Sequence, residues 1–210
     1  MAYLPLLLDL GGLPVVAVGG GRIAERRVLL LLRGGSRVRL VAPAATPRLR
    51  SLARRGTIDW RPRSFRPGDL RGARLVIAAT DRPGVNAAVA REARRRGLFV
   101  NRVDDAAGGS LMFPAMLARG PLMIAVTTSG ESPVLARGLR DDLGRRYGAA
   151  HGAYVRLIGT IRRRILAVVA SPAARERRFR RLLRAPILKL LREGRTRDAR
   201  LAGLRAAGLG

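Results

Sequence analysis

Short apolar runs alternate with segments of helical spacing through the first half of the chain. The apolar runs cover residues 13–19, 37–43, 57–60, 74–80 and 98–103. Runs of this length without polar alternation are typical of strands buried on both faces of a parallel sheet. Helical spacing is clearest over residues 22–33 and from about Pro83 to Arg96. This alternation predicts an α/β fold, a Rossmann-like doubly wound parallel sheet with right-handed crossovers.

The pattern changes after Asp105. Residues 113–119 suggest a short helix, residues 122–128 a further strand, and residues 133–147 a helix that follows the turn SGESP. Beyond His151 the whole chain has helical spacing with arginine-rich faces. We therefore expect an α/β domain over residues 1–112, a segment over residues 113–149 and a small all-helical C-terminal domain over residues 150–210.

The strand expected at residues 122–128 comes after the parallel sheet is complete, and no partner strand is obvious nearby. An unpaired apolar strand edge is a site of association between chains. We therefore expect a homodimer, with residues 113–149 as its dimerisation segment.

The composition is strongly basic, with 42 Lys and Arg residues against 14 Asp and Glu residues, a net charge of +28. Such a charge attracts polyanions, either nucleic acid or a small polyacid. Because Lys189 is the only lysine, a GC-rich coding bias toward arginine explains most of the charge. The chain has no cysteine, which excludes disulfides, iron–sulfur clusters and thiolate zinc sites. With a single histidine and no His/Cys cluster, we expect no bound metal.

No secretory signal and no membrane-spanning run is apparent, since Asp9 interrupts the apolar start of the chain. We therefore expect a soluble protein located in the cytoplasm, with no membrane partner.

The most informative motif is Gly19-Gly20-Gly21-Arg22-Ile23-Ala24, which fits the pattern G-x-G-x-x-A between a strand and a helix. In this context Gly19 permits a tight turn, Gly21 lets the backbone approach a pyrophosphate, and Ala24 allows close packing of helix on strand. The helix N-terminus then presents its free amides to the phosphates. The alternative is a glycine-rich turn that binds nothing.

The end of the second predicted strand lacks the acidic residue that usually holds a ribose hydroxyl. Ala42-Pro43 stand there instead, and Arg39 and Arg48 lie nearby in the sequence. An arginine in this region is typical of a 2′-phosphate site. The residues alone therefore leave NAD and NADP open.

Two further strand ends carry candidate residues. Thr80 ends the fourth predicted strand and is a possible neighbour of the cofactor, whereas Asp81 is better explained as a cap of the following helix. Asp104 and Asp105 follow the fifth strand. Crowded carboxylates resist double ionisation, so one of this pair is suited to accept a proton. The alternative is that both are solvated loop acids.

The chain resembles the precorrin-2 dehydrogenase/sirohydrochlorin ferrochelatase family, the N-terminal region of siroheme synthases. The resemblance spans residues 3 to 143 in the family's order and is carried by YLPLLLDL, VVAVGGGRIAERRVLLLLRGG, LVIAATDRPGVN, NRVDD and PLMIAVTTSGESPVLARGLRDDL. No methyltransferase domain is present, so the chain resembles the standalone form. The sequence departs from the family where N-V-V-D-A-P becomes Asn101-Arg102-Val103-Asp104-Asp105-Ala106.

The resemblance implies an NAD-dependent oxidation of precorrin-2 to sirohydrochlorin in siroheme biosynthesis. It implies NAD as cofactor, Asp104 as the catalytic aspartate, and Arg22-Ile23 and Ala42-Pro43 as positions that line the NAD site. It also implies a homodimer. Insertion of Fe²⁺ by the same protein, which would make iron a substrate and the protein a lyase as well, is left open.

The substrate would be a tetrapyrrole with eight carboxylates, for which guanidinium groups are well shaped. The candidate substrate contacts are Arg102, Ser110, Arg137 and Arg140. Two alternatives without catalysis remain: an NAD(P)-sensing regulatory domain, and a Rossmann protein that binds nucleic acid or another polyanion. The chain shows no nucleic-acid recognition motif, so we expect no nucleic-acid partner.

Overall fold

The computed structural model describes residues 3–210. They divide into two compact units, and the boundary along the chain lies between Phe113 and Pro114. Residues 1 and 2, with which the predicted first domain begins, lie outside the described residues. No helix of the described chain is both long and apolar enough to cross a bilayer.

The first unit contains a five-stranded sheet in which every neighbouring pair is parallel. Its strands are β1 Pro14–Val18, β2 Arg37–Val41, β3 Asp59–Arg61, β4 Leu75–Ala78 and β5 Phe99–Arg102, arranged in the order β3-β2-β1-β4-β5. The chain crosses from one half of the sheet to the other after β3, which places β1 and β4 side by side. The predicted Rossmann-like α/β fold is confirmed.

Three helices connect these strands: α1 Arg22–Arg33, α2 Pro47–Arg54 and α3 Pro83–Arg95. A 3₁₀ turn at Pro67–Leu70 precedes β4. The sequence patterns did not predict α2 or the 3₁₀ turn. Helix α2 is only eight residues long, and its start depends on the Thr46 hydroxyl, which accepts a hydrogen bond from the Leu49 amide at 3.3 Å.

Strand alternation divides the core of the first unit between the two faces of the sheet. Val15 and Ala17 of β1 pack with the buried side chains of α1 and α2. Val16 and Val18 pack with those of α3 on the other face. The sheet is therefore covered on both sides, and the carboxyl ends of its strands meet at one edge.

The second unit begins with an antiparallel hairpin of β6 Ala115–Arg119 and β7 Leu122–Val126. The helix predicted over residues 113–119 is therefore wrong, and the strand predicted at residues 122–128 has a partner strand. Residues 113–119 are too short for periodicity to separate a helix from a strand. The Gly120-Pro121 sequence between the two stretches is the feature that favours a hairpin over a helix. In the structure, Gly120 adopts a φ of +60° at this turn.

Five helices complete the second unit: α4 Pro133–Arg146, α5 Ala149–Val168, α6 Pro172–Arg184, α7 Ile187–Arg192 and α8 Thr196–Ala206. Ile161 and Ile165 of α5 pack against Leu182, Ile187 and Ala199 of the three following helices. The division of this unit into a dimerisation segment and a separate helical domain remains a prediction.

Candidate functional site

A cleft of about 740 Å³ opens at the carboxyl ends of β1, β2 and β4, within the first unit. This volume lies in the range of ligand sites in proteins. Three loops line most of it, namely residues 19–21 after β1, residues 42–45 after β2 and residues 79–82 after β4. The lining is completed by Val18 and Val41 at the strand ends, by Ser64 and Phe65, and by Gly84, Val85 and Ala88 of α3.

The glycine loop after β1 is shaped by two different constraints. Gly19 has a φ of +113°, and a Cβ at that position would overlap the carbonyl oxygen of Ala79. Gly20 would likewise overlap the carbonyl oxygen of Ala44. A Cβ on Gly21, by contrast, would meet no described atom within 4 Å. The fold itself therefore requires glycine at residues 19 and 20, whereas Gly21 leaves free space beside the helix start.

Helix α1 begins directly at this free space. Its first hydrogen bond joins the Glu25 amide to the Gly21 carbonyl at 2.9 Å, which leaves the amides of residues 22–24 without a partner in the helix. These amides and the helix dipole favour an anion at the N-terminus. Ala24 is buried against the sheet, while Ile23 is 52% exposed. The cleft therefore fits the pyrophosphate of a dinucleotide.

The loop after β2 provides neither an acid nor an arginine to the cleft. The Ala42 carbonyl accepts a hydrogen bond from the Trp60 indole Nε1 at 3.0 Å, and Pro43 is exposed beside it. Arg39 points elsewhere, since its Nε donates to Asp59 at 3.1 Å and it borders a hollow at the opposite edge of the sheet. Arg48 is exposed on α2 and is not among the residues that line the cleft.

An ion pair holds the loop that brings Ser64 and Phe65 to the cleft. Arg63 makes two hydrogen bonds to the buried carboxylate of Asp69, at 2.9 and 2.5 Å. Asp69 also accepts the Arg66 amide at 2.8 Å. The bonds from Arg63 lower the pKa of the Asp69 carboxyl. The loop is thus fixed before any ligand binds.

Thr80 lies at the floor of the cleft and is held by Asn86 of α3. The Asn86 Oδ1 accepts from the Thr80 amide at 3.0 Å and from the Thr80 hydroxyl at 2.8 Å. The Asn86 Nδ2 donates to the Thr80 carbonyl at 3.0 Å. The expectation that Asp81 caps α3 is wrong, because the cap residue is Arg82, and the Thr80 hydroxyl accepts the Arg82 amide at 3.2 Å. Asp81 instead lines the cleft.

Asp104 follows β5, the strand next to β4, and is paired with Arg102. The Nε and Nη2 of Arg102 each donate to one Asp104 oxygen at 3.1 Å, and its Nη1 donates to Asp105 at 2.9 Å. The bond from Arg102 lowers the pKa of the Asp104 carboxyl. Like-charge crowding between the two aspartates is therefore not what governs this site, because a guanidinium joins them.

The other predicted substrate contacts belong to different elements of the structure. The Ser110 hydroxyl accepts the Val100 amide at 3.0 Å and extends the edge of β5. Arg137 and Arg140 belong to α4 of the second unit, where Arg140 pairs with Asp141 at 2.7 Å. Within residues 3–210, no group of three His, Cys, Asp or Glu side chains is arranged to hold a metal ion.

Sequence reasoning placed eight residues at the cofactor site. Gly19, Gly21, Ala42, Pro43 and Thr80 are among the residues that line the cleft, whereas Arg22, Ile23 and Ala24 at the start of α1 are not. It missed the contributions of Ser64, Phe65 and Asn86. No local pattern marks these three residues. Ser64 and Phe65 line the cleft through the packing of their loop, whereas Asn86 is buried and contributes only through its hydrogen bonds to Thr80.

Two protein families match the chain. Residues 6–115 match the family described as "Putative NAD(P)-binding", and residues 119–146 match the family described as "Sirohaem biosynthesis protein central". The first match covers more than half of the chain.

Several curated proteins are similar to almost the whole chain. Siroheme synthase 1 of Aeromonas salmonicida is 44% identical over 185 residues, which are 88% of this chain and 40% of that protein. The siroheme synthase of Methylococcus capsulatus is 42% identical over 207 residues, 99% of this chain and 44% of that protein. The chain thus spans less than half the length of these relatives.

Among solved structures, "SirC, precorrin-2 dehydrogenase" matches with a TM-score of 0.79 and 24% identity, covering 97% of this chain and 100% of that one. At this identity the match supports the fold alone. The predicted resemblance to siroheme synthases is confirmed by the curated relatives. Residues 119–146 are similar to the central segment of sirohaem biosynthesis proteins. Because the match over residues 6–115 covers more than half of the chain, the chain belongs to the family described as "Putative NAD(P)-binding".

Proposed function

We propose that the protein oxidises precorrin-2 to sirohydrochlorin with NAD as the hydride acceptor. The observation that carries this proposal is the position of Asp104. It follows β5, the neighbour of β4, whose end contributes Thr80 to the dinucleotide cleft. The names of the relatives, siroheme synthase and precorrin-2 dehydrogenase, indicate the same substrate.

Bound NAD would supply the electron-pair acceptor for the hydride that the substrate loses. The protein's own contribution begins with binding. The amides of residues 22–24 and the open backbone at Gly21 would hold the pyrophosphate, and Ala42, Pro43 and Phe65 would border the adenosine half. Thr80 would lie nearer the reacting end, because it follows β4, the strand next to β5.

Asp104 would accept a proton as the macrocycle loses hydrogen. Its pKa is held below the ordinary aspartate value by Arg102, so the group is an ionised acceptor at neutral pH. The side chain of Asp104 is 24% exposed and that of Arg102 is 15% exposed, which leaves the carboxylate accessible from one side. A substrate carboxylate that competes for Arg102 would strengthen Asp104 as a base.

Arg102 is therefore the first candidate for binding a substrate carboxylate. Ser110, Arg137 and Arg140 remain predictions as further substrate contacts. Guanidinium groups suit this role because they bind carboxylates through two parallel hydrogen bonds.

The choice of NAD over NADP is part of the proposal. The cleft lining contains no arginine from the loop after β2, and Arg39 is held by Asp59 at the other edge of the sheet. A 2′-phosphate would thus find no counter-charge at that loop. The absence of a carboxylate there means that the ribose hydroxyls are not selected by an acid either.

Three further expectations accompany this function without being tested by it. The first is a homodimer, which is favoured by the exposure of large apolar side chains on the second unit: Met123, Val134, Leu135 and Leu139 are each more than 40% exposed. Insertion of Fe²⁺ and a cytoplasmic location remain predictions.

An anaerobic assay tests the proposal directly. Purified protein is mixed with precorrin-2 and either NAD or NADP, and formation of reduced nicotinamide is followed by absorbance. We expect turnover with NAD and at least tenfold lower kcat/KM with NADP, which corresponds to about 1.4 kcal/mol. A preference for NADP would overturn the cofactor choice, and no turnover with either cofactor would overturn the function. Addition of Fe²⁺ to the product mixture then tests iron insertion.

A further inference from the structure

The side chain of Glu25 joins helix α1 to the loop that follows β2. Glu25 lies in the first turn of α1, and its Oε2 accepts a hydrogen bond from the Thr46 hydroxyl at 2.5 Å. Among residues 3–210, the Glu25 side chain has no other partner. This carboxylate is therefore bonded to a hydroxyl, although the chain carries 42 Lys and Arg residues.

Thr46 is in turn connected to both of the loops that form the first half of the cleft. Its amide donates to the carbonyl of Gly20, in the glycine loop, at 3.0 Å. The residue directly before it, Ala45, is buried and lines the cleft together with residues 42–44. Thr46 thus links the start of α1, the glycine loop and the loop after β2.

The capping of α2 does not by itself require the carboxylate. A threonine hydroxyl caps a helix by accepting an amide hydrogen bond, and the Leu49 amide already provides that bond to Thr46. Ser171 shows the simpler arrangement at the start of α6, where its hydroxyl accepts the Ala174 amide at 3.4 Å and donates to no carboxylate of the described chain. The bond to Glu25 therefore adds a connection between α1 and the loop that capping leaves out.

We propose that Glu25 is a positioning residue for the dinucleotide, which acts through Thr46 to hold residues 42–45 against the start of α1. Glu25 is not among the residues that line the cleft, so it acts on the ligand through this loop. In the proposed function, the start of α1 holds the pyrophosphate and the loop after β2 borders the adenosine half. A loop that is fixed before binding costs less ordering entropy when the ligand arrives. The inference rests on the proposed function only for the identity of the cofactor.

Binding of ADP-ribose to the full chain, measured by calorimetry, tests this role, because ADP-ribose contains both the pyrophosphate and the adenosine. Glu25→Ala removes the acceptor, keeps a residue that favours helices and leaves the cap bond of Thr46 in place. We expect the dissociation constant to rise about tenfold. Removing a negative charge close to an anionic ligand would by itself tighten binding, so the expected weakening is opposite in sign to the electrostatic effect.

Glu25→Gln is the rescuing variant, because its amide oxygen can accept the Thr46 hydroxyl, and it should bind ADP-ribose within about threefold of the wild type. Ser171→Ala is the control for loss of a hydrogen bond at a helix start. It should lower the thermal midpoint and leave the dissociation constant unchanged. If Glu25→Ala does not fold, Thr46→Val and Thr46→Ser test the same bond from the other side, and only Thr46→Val should weaken binding.

Unchanged or tighter binding of ADP-ribose in Glu25→Ala would overturn the proposal, and so would a loss in Glu25→Gln as large as that in Glu25→Ala. These measurements need no precorrin-2. A protein that shows the expected pattern but does not convert precorrin-2 would refute the proposed function and not the role of Glu25. A wild type that binds no ADP-ribose would refute both.

Discussion

The two ends of the candidate site are built in different ways. At the end of β1, the backbone forms the binding surface. Gly19 and Gly20 allow neighbouring carbonyls to approach closely, and the amides at the start of α1 face open space. At the end of β5, side chains form the site, because the Arg102 guanidinium donates hydrogen bonds to both Asp104 and Asp105. A binding site built from backbone tolerates surrounding substitutions, whereas a site built from side chains depends on each member.

The largest effect is expected at the side-chain end. Asp104→Asn keeps the shape of the residue and removes its capacity to accept a proton. Loss of a proton-transfer partner costs about 10²–10⁴ in rate, so kcat for precorrin-2 should fall by that factor while the dissociation constant for NAD stays within about twofold. Steady-state kinetics and a fluorescence titration of NAD measure the two quantities. Near-normal kcat in Asp104→Asn would mean that another group or solvent accepts the proton.

At the backbone end, Gly21→Ala should separate ligand binding from folding. Gly21 has an ordinary negative φ of −79° and no described atom within 4 Å of an added Cβ, so the thermal midpoint should not fall. The methyl group would instead stand where the pyrophosphate approaches, and the affinity for NAD should fall about tenfold, or 1.4 kcal/mol. Gly68→Ala is the control, since that glycine is equally open but lies outside the cleft lining. Unchanged NAD affinity in Gly21→Ala would place the pyrophosphate elsewhere.

A smaller effect is expected from Arg102→Gln, which removes the cation that lowers the pKa of Asp104. The pKa of Asp104 should rise toward the ordinary aspartate value of about 3.9, and the acid limb of kcat should move upward with it. A depressed carboxyl pKa stabilises the fold above the unfolded value and ceases to do so as the pH falls through the folded value. The variant should therefore lose less stability than the wild type on acidification through that window.

The same variant also tests substrate binding, because KM for precorrin-2 should rise several-fold if Arg102 binds a substrate carboxylate. Asp105→Asn serves as the comparison, since it removes a charge that accepts one bond from Arg102 and one from the Gly108 amide while leaving the two bonds to Asp104, and it should change KM little. An acid limb that stays in place in Arg102→Gln would show that Arg102 does not govern Asp104 in solution.

The smallest effect is expected at Arg39, the residue that the sequence offered for a 2′-phosphate. Because Asp59 holds Arg39 at the far edge of the sheet, Arg39→Gln should leave the ratio of NAD to NADP affinity within about twofold of the wild type. Competitive binding of the two cofactors measures this ratio. A several-fold loss of NADP affinity alone would show that Arg39 reaches the cleft.

The contrast between the two ends also explains what could be read from the sequence. The strand, the glycine motif and α1 are contiguous, so local spacing was sufficient to place Gly19, Gly21 and Ala24. The contacts at the end of β5 depend on side-chain geometry, and no spacing reveals that the Arg102 guanidinium joins Asp104 and Asp105. A like-charge pair was expected there because the sequence shows adjacent acids but not the guanidinium between them.

The prediction over the hairpin of the second unit was wrong for a different reason. The stretch from Phe113 to Arg119 is seven residues long, and at that length apolar spacing fits a helix and a strand equally. Only the turn at Gly120-Pro121, followed by the apolar strand β7, indicates that the two stretches pair. Reading the turn first would have identified β6 and removed the unpaired edge from the argument for a dimer.

In the proposed reaction, one cleft and one aspartate carry out a two-electron oxidation of precorrin-2 with NAD. A single-turnover experiment without oxygen tests it most directly, with enzyme, NAD and a limiting amount of precorrin-2, and with sirohydrochlorin and reduced nicotinamide measured by absorbance in the same sample. We expect one reduced nicotinamide for each sirohydrochlorin formed, and no product when NAD is omitted. Formation of sirohydrochlorin without reduced nicotinamide, or no conversion with NAD bound, would contradict it.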